Sequence, residues 1–351
     1  MSAPVSLLGL ASAVPPYRIG QGEALRAARA IFAPTIARYP QLLDVFANAG
    51  IEQRYSVAPL EWFDSEHDWP QRTQIYLDGA SALFVDAARQ ALAQAGMAAR
   101  DVDIVVTVSS TGIATPSLEA RVAAELGFRA DISRVPIFGL GCAGGVSGLA
   151  IGARLARGEP RARVLVIAVE LCTLAFRRDR TTKADVISAA LFGDGAAAAV
   201  LQSGQTSSAL AYIGAGREHT WPETLDIMGW SVDPIGFGVV LSRSLPKFVE
   251  RRLAAPAKRF AADLNLPGDP RFICHPGGMK VLRAIGEALG IDARLFAVER
   301  DILRRFGNMS APTVMFVLER VLGGPFAGEA ILAALGPGFT ASFLALETNH
   351  G

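Results

Sequence analysis

The chain is poor in the residues from which disulfide, metal and nucleic-acid sites are built. It has three cysteines (Cys142, Cys172, Cys274), without paired spacing, and four histidines. That excludes a disulfide framework or a zinc module and suits a reducing, cytoplasmic setting. Charged residues are scarce, at 19%, and nearly cancel to a formal net charge of +1, so no basic field for nucleic acid is present. No apolar run is long enough to span a bilayer, and Met1-Ser2-Ala3-Pro4 opens without the basic start and apolar stretch of a secretion signal. What the chain has in quantity is apolar surface: 51% hydrophobic residues over 351 positions, enough for two core-forming units or one duplicated core.

The apolar segments predict an α/β protein. Val5 to Ala11, Val102 to Ser110 and Arg163 to Glu170 read as strands, and an alanine-rich strand follows the turn Phe192-Gly193-Asp194-Gly195. An amphipathic helix is expected from about Thr73 to Gly96 and another from Leu118 to Gly127, while Trp69-Pro70 reads as an irregular surface excursion. Towards the C-terminus, Arg271 to His275 is a short strand, Met279 to Leu289 a helix and Met309 to Leu322 a buried helix. Ala330 to Leu335 and Thr340 to Leu346 are the last strands. Strand, helix, buried helix and strand thus recur in one order, which points to a duplicated α/β core.

Chemistry gathers on Ile137-Phe138-Gly139-Leu140-Gly141-Cys142-Ala143-Gly144-Gly145. Val146, Leu149, Ala150 and Ala153 follow at i, i+3, i+4 and i+7, the stripe of a helix entering a core. Cys142 therefore stands where a loop becomes a helix, and the dipole there favours a thiolate. A small buried cysteine at a tight helix contact is the bland alternative. In the second half Asn308 occupies the place that Cys142 holds in the first, and His275 closes the matching strand before Pro276-Gly277-Gly278. Singly, the histidine suits a turn and the asparagine a helix cap; at equivalent points of a duplicated fold, the three are placed to meet.

Gly141-Cys142-Ala143-Gly144-Gly145, His275-Pro276-Gly277-Gly278 and Gly307-Asn308-Met309-Ser310 resemble the nucleophile, histidine and asparagine motifs of the thiolase superfamily. Leu191-Phe192-Gly193-Asp194-Gly195 resembles the gatekeeper segment of its type III polyketide synthases (chalcone-synthase-like enzymes), and Gly336-Pro337-Gly338 their C-terminal loop. The resemblance runs from about residue 5 to 347. It implies a thiolase fold with a duplicated αβαβα layered core, divided here into 1–205, carrying the cysteine, and 206–351, carrying the histidine and asparagine. It implies Cys142, His275 and Asn308 as catalytic residues. The substrates implied are an acyl-CoA starter loaded on Cys142 and malonyl-CoA for repeated decarboxylative extension, ending in a pyrone or resorcinol-type ring. No metal and no cofactor beyond the coenzyme A thioesters is implied. A homodimer is, with Thr115 at the position that reaches across it. A single-round 3-oxoacyl-ACP synthase III-like enzyme, fed by an acyl carrier protein, is the alternative.

The resemblance also implies a substrate cavity lined by Phe192, Val239, Phe237, Cys172, Ala175, Ser310 and Thr111. Val239 stands where plant members have a second gatekeeper phenylalanine, and Cys172 and Ala175 where chalcone synthases have threonines. Fewer hydroxyls and a missing ring favour a medium- or long-chain fatty acyl starter, unless neighbouring bulk such as Phe237 refills the space. The basic residues that plant members turn to the coenzyme A phosphates are missing: Asp44 and Asn48 stand there, leaving Arg243 or Lys247 as candidates.

Overall fold

The computed structural model describes residues 4–264 and 270–348; Met1 to Ala3, part of the leader reading above, lie outside the described residues. The strands, in chain order, begin with β1 (Val5–Ala13), β2 (Tyr17–Gly20), β3 (Gln53–Ser56), β4 (Ile104–Val108), β5 (Ser133–Ile137), β6 (Arg163–Leu171) and β7 (Asp194–Ser203). They continue with β8 (Ala211–Thr220), β9 (Met228–Asp233), β10 (Gly236–Leu241), β11 (Arg271–Cys274), β12 (Gly328–Gly336) and β13 (Thr340–Thr348). Nine of them form one sheet in the order β11-β12-β13-β8-β1-β7-β6-β4-β5.

That order contains the duplication. From β1 outward, β7 is antiparallel to β1, β6 antiparallel to β7 and β4 parallel to β6. From β8 outward, β13, β12 and β11 repeat the same sequence of directions. The halves join where Val5, Ser6 and Leu7 of β1 face Ile213, Tyr212 and Ala211 of β8. Only the first half adds a further parallel strand, β5.

Fully apolar strands need cover on both faces, and the helices supply it in layers. Helices Gly144–Gly158 and Ala311–Leu322 lie at the centre, where Val146, Leu149, Val314 and Val317 share one core with residues of both halves of the sheet. The long helix Trp69–Gln94 covers the other face of the first half. Leu245–Arg252, Ala254–Leu264 and Met279–Leu289 cover that of the second. The architecture is the expected αβαβα thiolase arrangement. The two central helices touch so closely that a Cβ on Gly145 would lie 2.2 Å from the Ala311 carbonyl oxygen. A side chain there would overpack the centre at a cost of about 1–3 kcal/mol.

Several boundaries differ from expectation. The long helix begins at Trp69: Asp68 caps it, accepting from the Gln71 N–H at 2.9 Å, and Pro70 is tolerated in a first turn whose N–H groups are free anyway. The segment after β4 breaks into Leu118–Arg121 and Ala123–Leu126. The second central helix begins at Ala311, two residues later than expected, because Ser310 is in the left-handed region at φ 59°. Among the described residues, no helix is long and apolar enough to cross a membrane.

Candidate active site

Cys142 sits in the single 3-10 turn Gly141–Ala143 that leads into the Gly144–Gly158 helix, and it is buried. Two contacts set this loop. The Ser110 hydroxyl, just past the end of β4, accepts the N–H groups of Gly139 and Gly141 at 3.1 and 3.2 Å. Gly141, at φ 47°, lies against the loop after β12, where an added Cβ would stand 2.7 Å from Pro337. The Ser110 N–H in turn donates to Glu170 at 2.9 Å, and the Thr111 hydroxyl donates to the same oxygen at 2.8 Å. The other Glu170 oxygen is buried without a partner, and burial pushes this carboxyl up to about 8. Burial thus favours the neutral, protonated form of Glu170 beneath the Cys142 loop.

His275 follows β11, its N–H donating to Ala333 of β12 at 2.8 Å. The side chain is buried, yet neither ring nitrogen has a partner among the described residues. Asn308 is tied at every backbone atom available: its N–H donates to Leu191 at 2.8 Å and its carbonyl accepts from Gly193 at 3.0 Å. Its amide Nδ2 donates to the Gly277 carbonyl at 3.1 Å, and its Oδ1 accepts from Ser310 N–H at 2.8 Å. The amide also hydrogen-bonds the Cys142 thiol. The carboxamide is therefore clamped between the histidine loop and Ser310, and caps no helix.

The electrostatics revise the thiolate expectation. Burial pushes the Cys142 thiol up to about 11, against the pull of hydrogen bonds from Ser310 and Asn308, and pushes His275 down to about 3. A helix terminus contributes about 2 kcal/mol at most, too little to offset desolvation of a lone thiolate. Each charge is penalised when formed alone; moving the proton from sulfur to imidazole forms both together, in one low-dielectric cavity where they attract.

Cys142, His275, Asn308 and Phe192 line one cavity of about 640 Å³. The other six residues expected in the lining do not line it. Ser310 is buried and bonds the Cys142 thiol. Cys172 and Ala175 are buried in the turn after β6, and Val239 on β10. Thr111 and Phe237 line a second, much smaller pocket with Trp69, Tyr76 and Leu174. The wall of the main cavity is supplied instead by Leu42, Val45, Ile187, Met228 and Leu241, with Asp44, Asn48, Arg243 and Lys280 also lining it. Lys247 is exposed on the neighbouring helix and does not line the cavity.

Sequence reasoning missed Arg54 and Trp230. Arg54 is buried and donates to the carbonyls of Ala189, Ala190 and Phe192 at 2.6, 3.0 and 3.1 Å, fixing the backbone of the gatekeeper segment. Trp230 faces Val239 across the β9–β10 hairpin, and its ring stands edge-on to Phe192 at 6.3 Å between centroids. An arginine flanked by Gln53 and Tyr55 carried no signal, and a cross-strand neighbour is invisible without the register. All three cysteines are free and buried. Among the described residues, no group of three His, Cys, Asp or Glu could hold a metal ion.

Comparison with known proteins gives the same family over most of the chain. Residues 64–205 match the model for the N-terminal domain of chalcone and stilbene synthases, and residues 216–347 that for their C-terminal domain. A putative chalcone synthase of Bacillus subtilis is 34% identical over 98% of this chain and 99% of its own length. A 1,3,6,8-tetrahydroxynaphthalene synthase of Streptomyces peucetius is 37% identical over 97% of this chain and 93% of its own. The crystal structure of the Streptomyces coelicolor 1,3,6,8-tetrahydroxynaphthalene synthase, a bacterial type III polyketide synthase, superposes with a TM-score of 0.92. It is 28% identical, covering 99% of this chain and 100% of that one.

Proposed function

The chain belongs to the chalcone and stilbene synthase family, the type III polyketide synthases, and on that premise we propose a division of labour among Cys142, His275 and Asn308. Cys142 passes its proton to His275 and attacks an acyl-CoA thioester; the tetrahedral intermediate collapses, and the leaving coenzyme A sulfur takes the proton back. The imidazole is then neutral, as its burial favours, and still donates one N–H. Malonyl-CoA binds with its thioester carbonyl between that N–H and the Asn308 amide hydrogen that faces the Cys142 sulfur before acylation. When the bond to the carboxylate breaks and CO₂ leaves, the electron pair moves onto this carbonyl oxygen as an enolate, held by the two donors. The enolate carbon attacks the acyl-Cys142 carbonyl and expels the thiolate. No side chain has to remove a carbon-bound proton. Phe192 contributes an apolar wall that disfavours the carboxylate relative to neutral CO₂.

The observation that carries this reading is the orphaned imidazole of His275, buried in the same cavity as the Cys142 sulfur and a clamped Asn308 amide. The test is incubation with a labelled acyl-CoA. An adduct on the natural protein and none on Cys142→Ala is expected; no adduct, or an equal one on both, rules the reading out.

Within the family we assign a medium- or long-chain fatty acyl starter, iterative extension, and closure to a pyrone or resorcinol-type ring. The apolar wall of Leu42, Val45, Ile187, Met228 and Leu241 supports it. A ladder of acyl-CoA starters with malonyl-CoA, read by mass spectrometry, tests it: a linear product of one condensation would refute it. We further divide the chain into halves 1–205 and 206–351. We also propose a homodimer joined near exposed Thr115, Ile113 and Phe138, to be checked by light scattering, and a reducing cytoplasmic setting, which three free thiols suit.

A further inference from the structure

Strand β3 touches two helices that end at the site: Lys183–Leu191, which runs into Phe192, and Ala297–Phe306, which runs into Gly307 and Asn308. Glu52, just before the strand, donates its N–H to the Arg304 carbonyl at 2.8 Å, and Tyr55 stacks on Phe306 with ring centroids 5.8 Å apart. Arg54, between them in sequence, reaches the end of the other helix. The last four carbonyls of an α-helix lack partners within it. Here Arg54 takes those of Ala189, Ala190 and Phe192, at 2.6, 3.0 and 3.1 Å, and the one left, of Leu191, accepts the Asn308 N–H at 2.8 Å. Gln21 supports the guanidinium: its Oε1 accepts from Arg54, and its Nε2 donates to the Ala190 carbonyl at 3.2 Å. The Gly193 N–H returns a bond to the Asn308 carbonyl at 3.0 Å, so Phe192 and Asn308 form a parallel bridge. The crossing is tight. A Cβ on Gly307, at φ 69°, would lie 2.8 Å from the Leu191 carbonyl oxygen, and one on Gly193 would lie 3.1 Å from the Arg54 Cβ.

Burying a guanidinium is costly, and the hydrogen bonds of this one go to carbonyl and amide oxygens. An apolar side chain would avoid that cost but would leave the three carbonyls unpaired. A planar fork of donors is suited to holding several carbonyls of one helix end at once. We infer that Arg54 is a positioning residue for decarboxylation. By holding the end of the Lys183–Leu191 helix it fixes the Leu191 carbonyl on which Asn308 rests, and so sets where the Asn308 amide stands relative to His275 and Phe192. This rests on the division of labour proposed above, in which Asn308 serves the malonyl thioester. Arg54 does not line the cavity of Cys142, so it acts only through the segments it holds. With the helix end released, the Asn308 amide shifts, and a displacement of about 1 Å at a reacting group costs about a hundredfold in rate. The Cys142 loop has its own supports in Ser110 and Pro337, which insulate acylation from that loss.

Two half-reactions read the difference: acylation of Cys142 by a labelled acyl-CoA, and decarboxylation of malonyl-CoA. Both are measured on the natural protein, Arg54→Met, Arg54→Lys, Asn308→Ala and the double variant of Arg54→Met with Asn308→Ala. Arg54→Met is expected to lower kcat for decarboxylation about ten- to a hundredfold, with KM and the acylation rate unchanged. Arg54→Lys keeps part of the donor set and should lose less. In the double variant the combined loss should fall short of the product of the single losses, as for residues that act through one another. Gln21→Leu removes an acceptor of the guanidinium and leaves Arg54 in place; it should show the same selectivity at smaller size, and it carries the test if melting temperatures show that the Arg54 variants do not fold. An equal loss of both half-reactions would make Arg54 a general support of the fold and overturn the inference. Unchanged decarboxylation, or a fully multiplicative loss in the double variant, overturns it as well. If Asn308→Ala decarboxylates like the natural protein, the division of labour fails and the inference with it; if Asn308→Ala loses the activity and Arg54→Met keeps it, the inference alone fails.

Discussion

The two halves of the molecule repeat one strand order but treat the ends of corresponding strands in opposite ways. In the first half the exit of β4 is hydrogen-bonded, Ser110 serving Gly139, Gly141 and Glu170, and Thr111 serving Glu170 and Leu171, with only the second Glu170 oxygen left over among these groups. In the second half the exit of β11 is His275, whose ring nitrogens have no partner among the described residues. The loops entering the central helices differ as well. That of Cys142 is held through its neighbours and leaves the sulfur facing the cavity, while that of Asn308 is tied through both backbone and side chain. On the proposed mechanism the first half carries the nucleophile on a hydrogen-bonded loop, and the second supplies the donors for a substrate oxygen.

The largest effect should follow from removing the sulfur. Cys142→Ala is expected to lower condensation by about 10⁴-fold or more, as measured by product formation. Cys142→Gln, whose amide imitates the acyl-cysteine, should still decarboxylate malonyl-CoA. If both activities vanish together in the glutamine variant, the halves do not divide the work.

Asn308→Ala attacks the other side. Acylation of Cys142 should survive, while malonyl-CoA decarboxylation falls by about 10²–10³-fold, the usual cost of one oxyanion donor. His275→Gln removes the counter-charge of the thiolate, so alkylation of Cys142 by iodoacetamide should slow at neutral pH, its midpoint moving up. An unchanged alkylation profile would mean that the helix start, not the imidazole, stabilises the thiolate.

Glu170 tests whether the first half is scaffold. Its folded value of about 8 lies above the ordinary 4.5. The protonated form is thus favoured on folding, and that contribution is fully present below about pH 4.5 and lost as pH rises through about 8. Glu170→Gln keeps a neutral hydrogen-bonding group and should abolish this loss. Melting temperatures at pH 5 and pH 9 should therefore spread less in the variant, and an equal spread would place the Glu170 proton elsewhere.

How much of this was readable beforehand depends on how local the signal is. The strands Ile104–Val108 and Arg163–Leu171 are buried on both faces and announce themselves as continuous apolar runs. Gly141-Cys142, His275 and Asn308 stand at turns whose breakers are visible in the sequence, so their places in the fold could be expected, though not the clamp on Asn308. The stretch from Ala211 to Leu264 gave no pattern. β8 passes from buried to exposed along its length, and the β9–β10 hairpin turns Trp230 and Met228 partly inward without alternating cleanly. The protonated state of Glu170 is equally illegible, being set by burial at the end of β6. Arg54 draws its carbonyl partners from residues 135 to 138 positions away.

The smallest effect concerns the cavity, where reasoning from one position went astray for want of its neighbour. Val239 lacks the ring that plant members place there, but Trp230 faces it across the hairpin and packs against Phe192 and, at 6.0 Å, Phe237. Part of the space lost from one strand is thus refilled from the other. Val239→Phe should crowd this cluster and narrow the range of starters accepted, shifting product ratios a few-fold, since one methylene in a pocket is worth about 1–3 kcal/mol. Trp230→Ala should widen the range towards longer chains, and the double variant should fall between them if the two side chains share one volume. Competition between short and long acyl-CoA starters measures this directly. If Val239→Phe alters the profile and Trp230→Ala does not, the hairpin tryptophan is packing for Phe192 and the second half contributes only donors to the reaction.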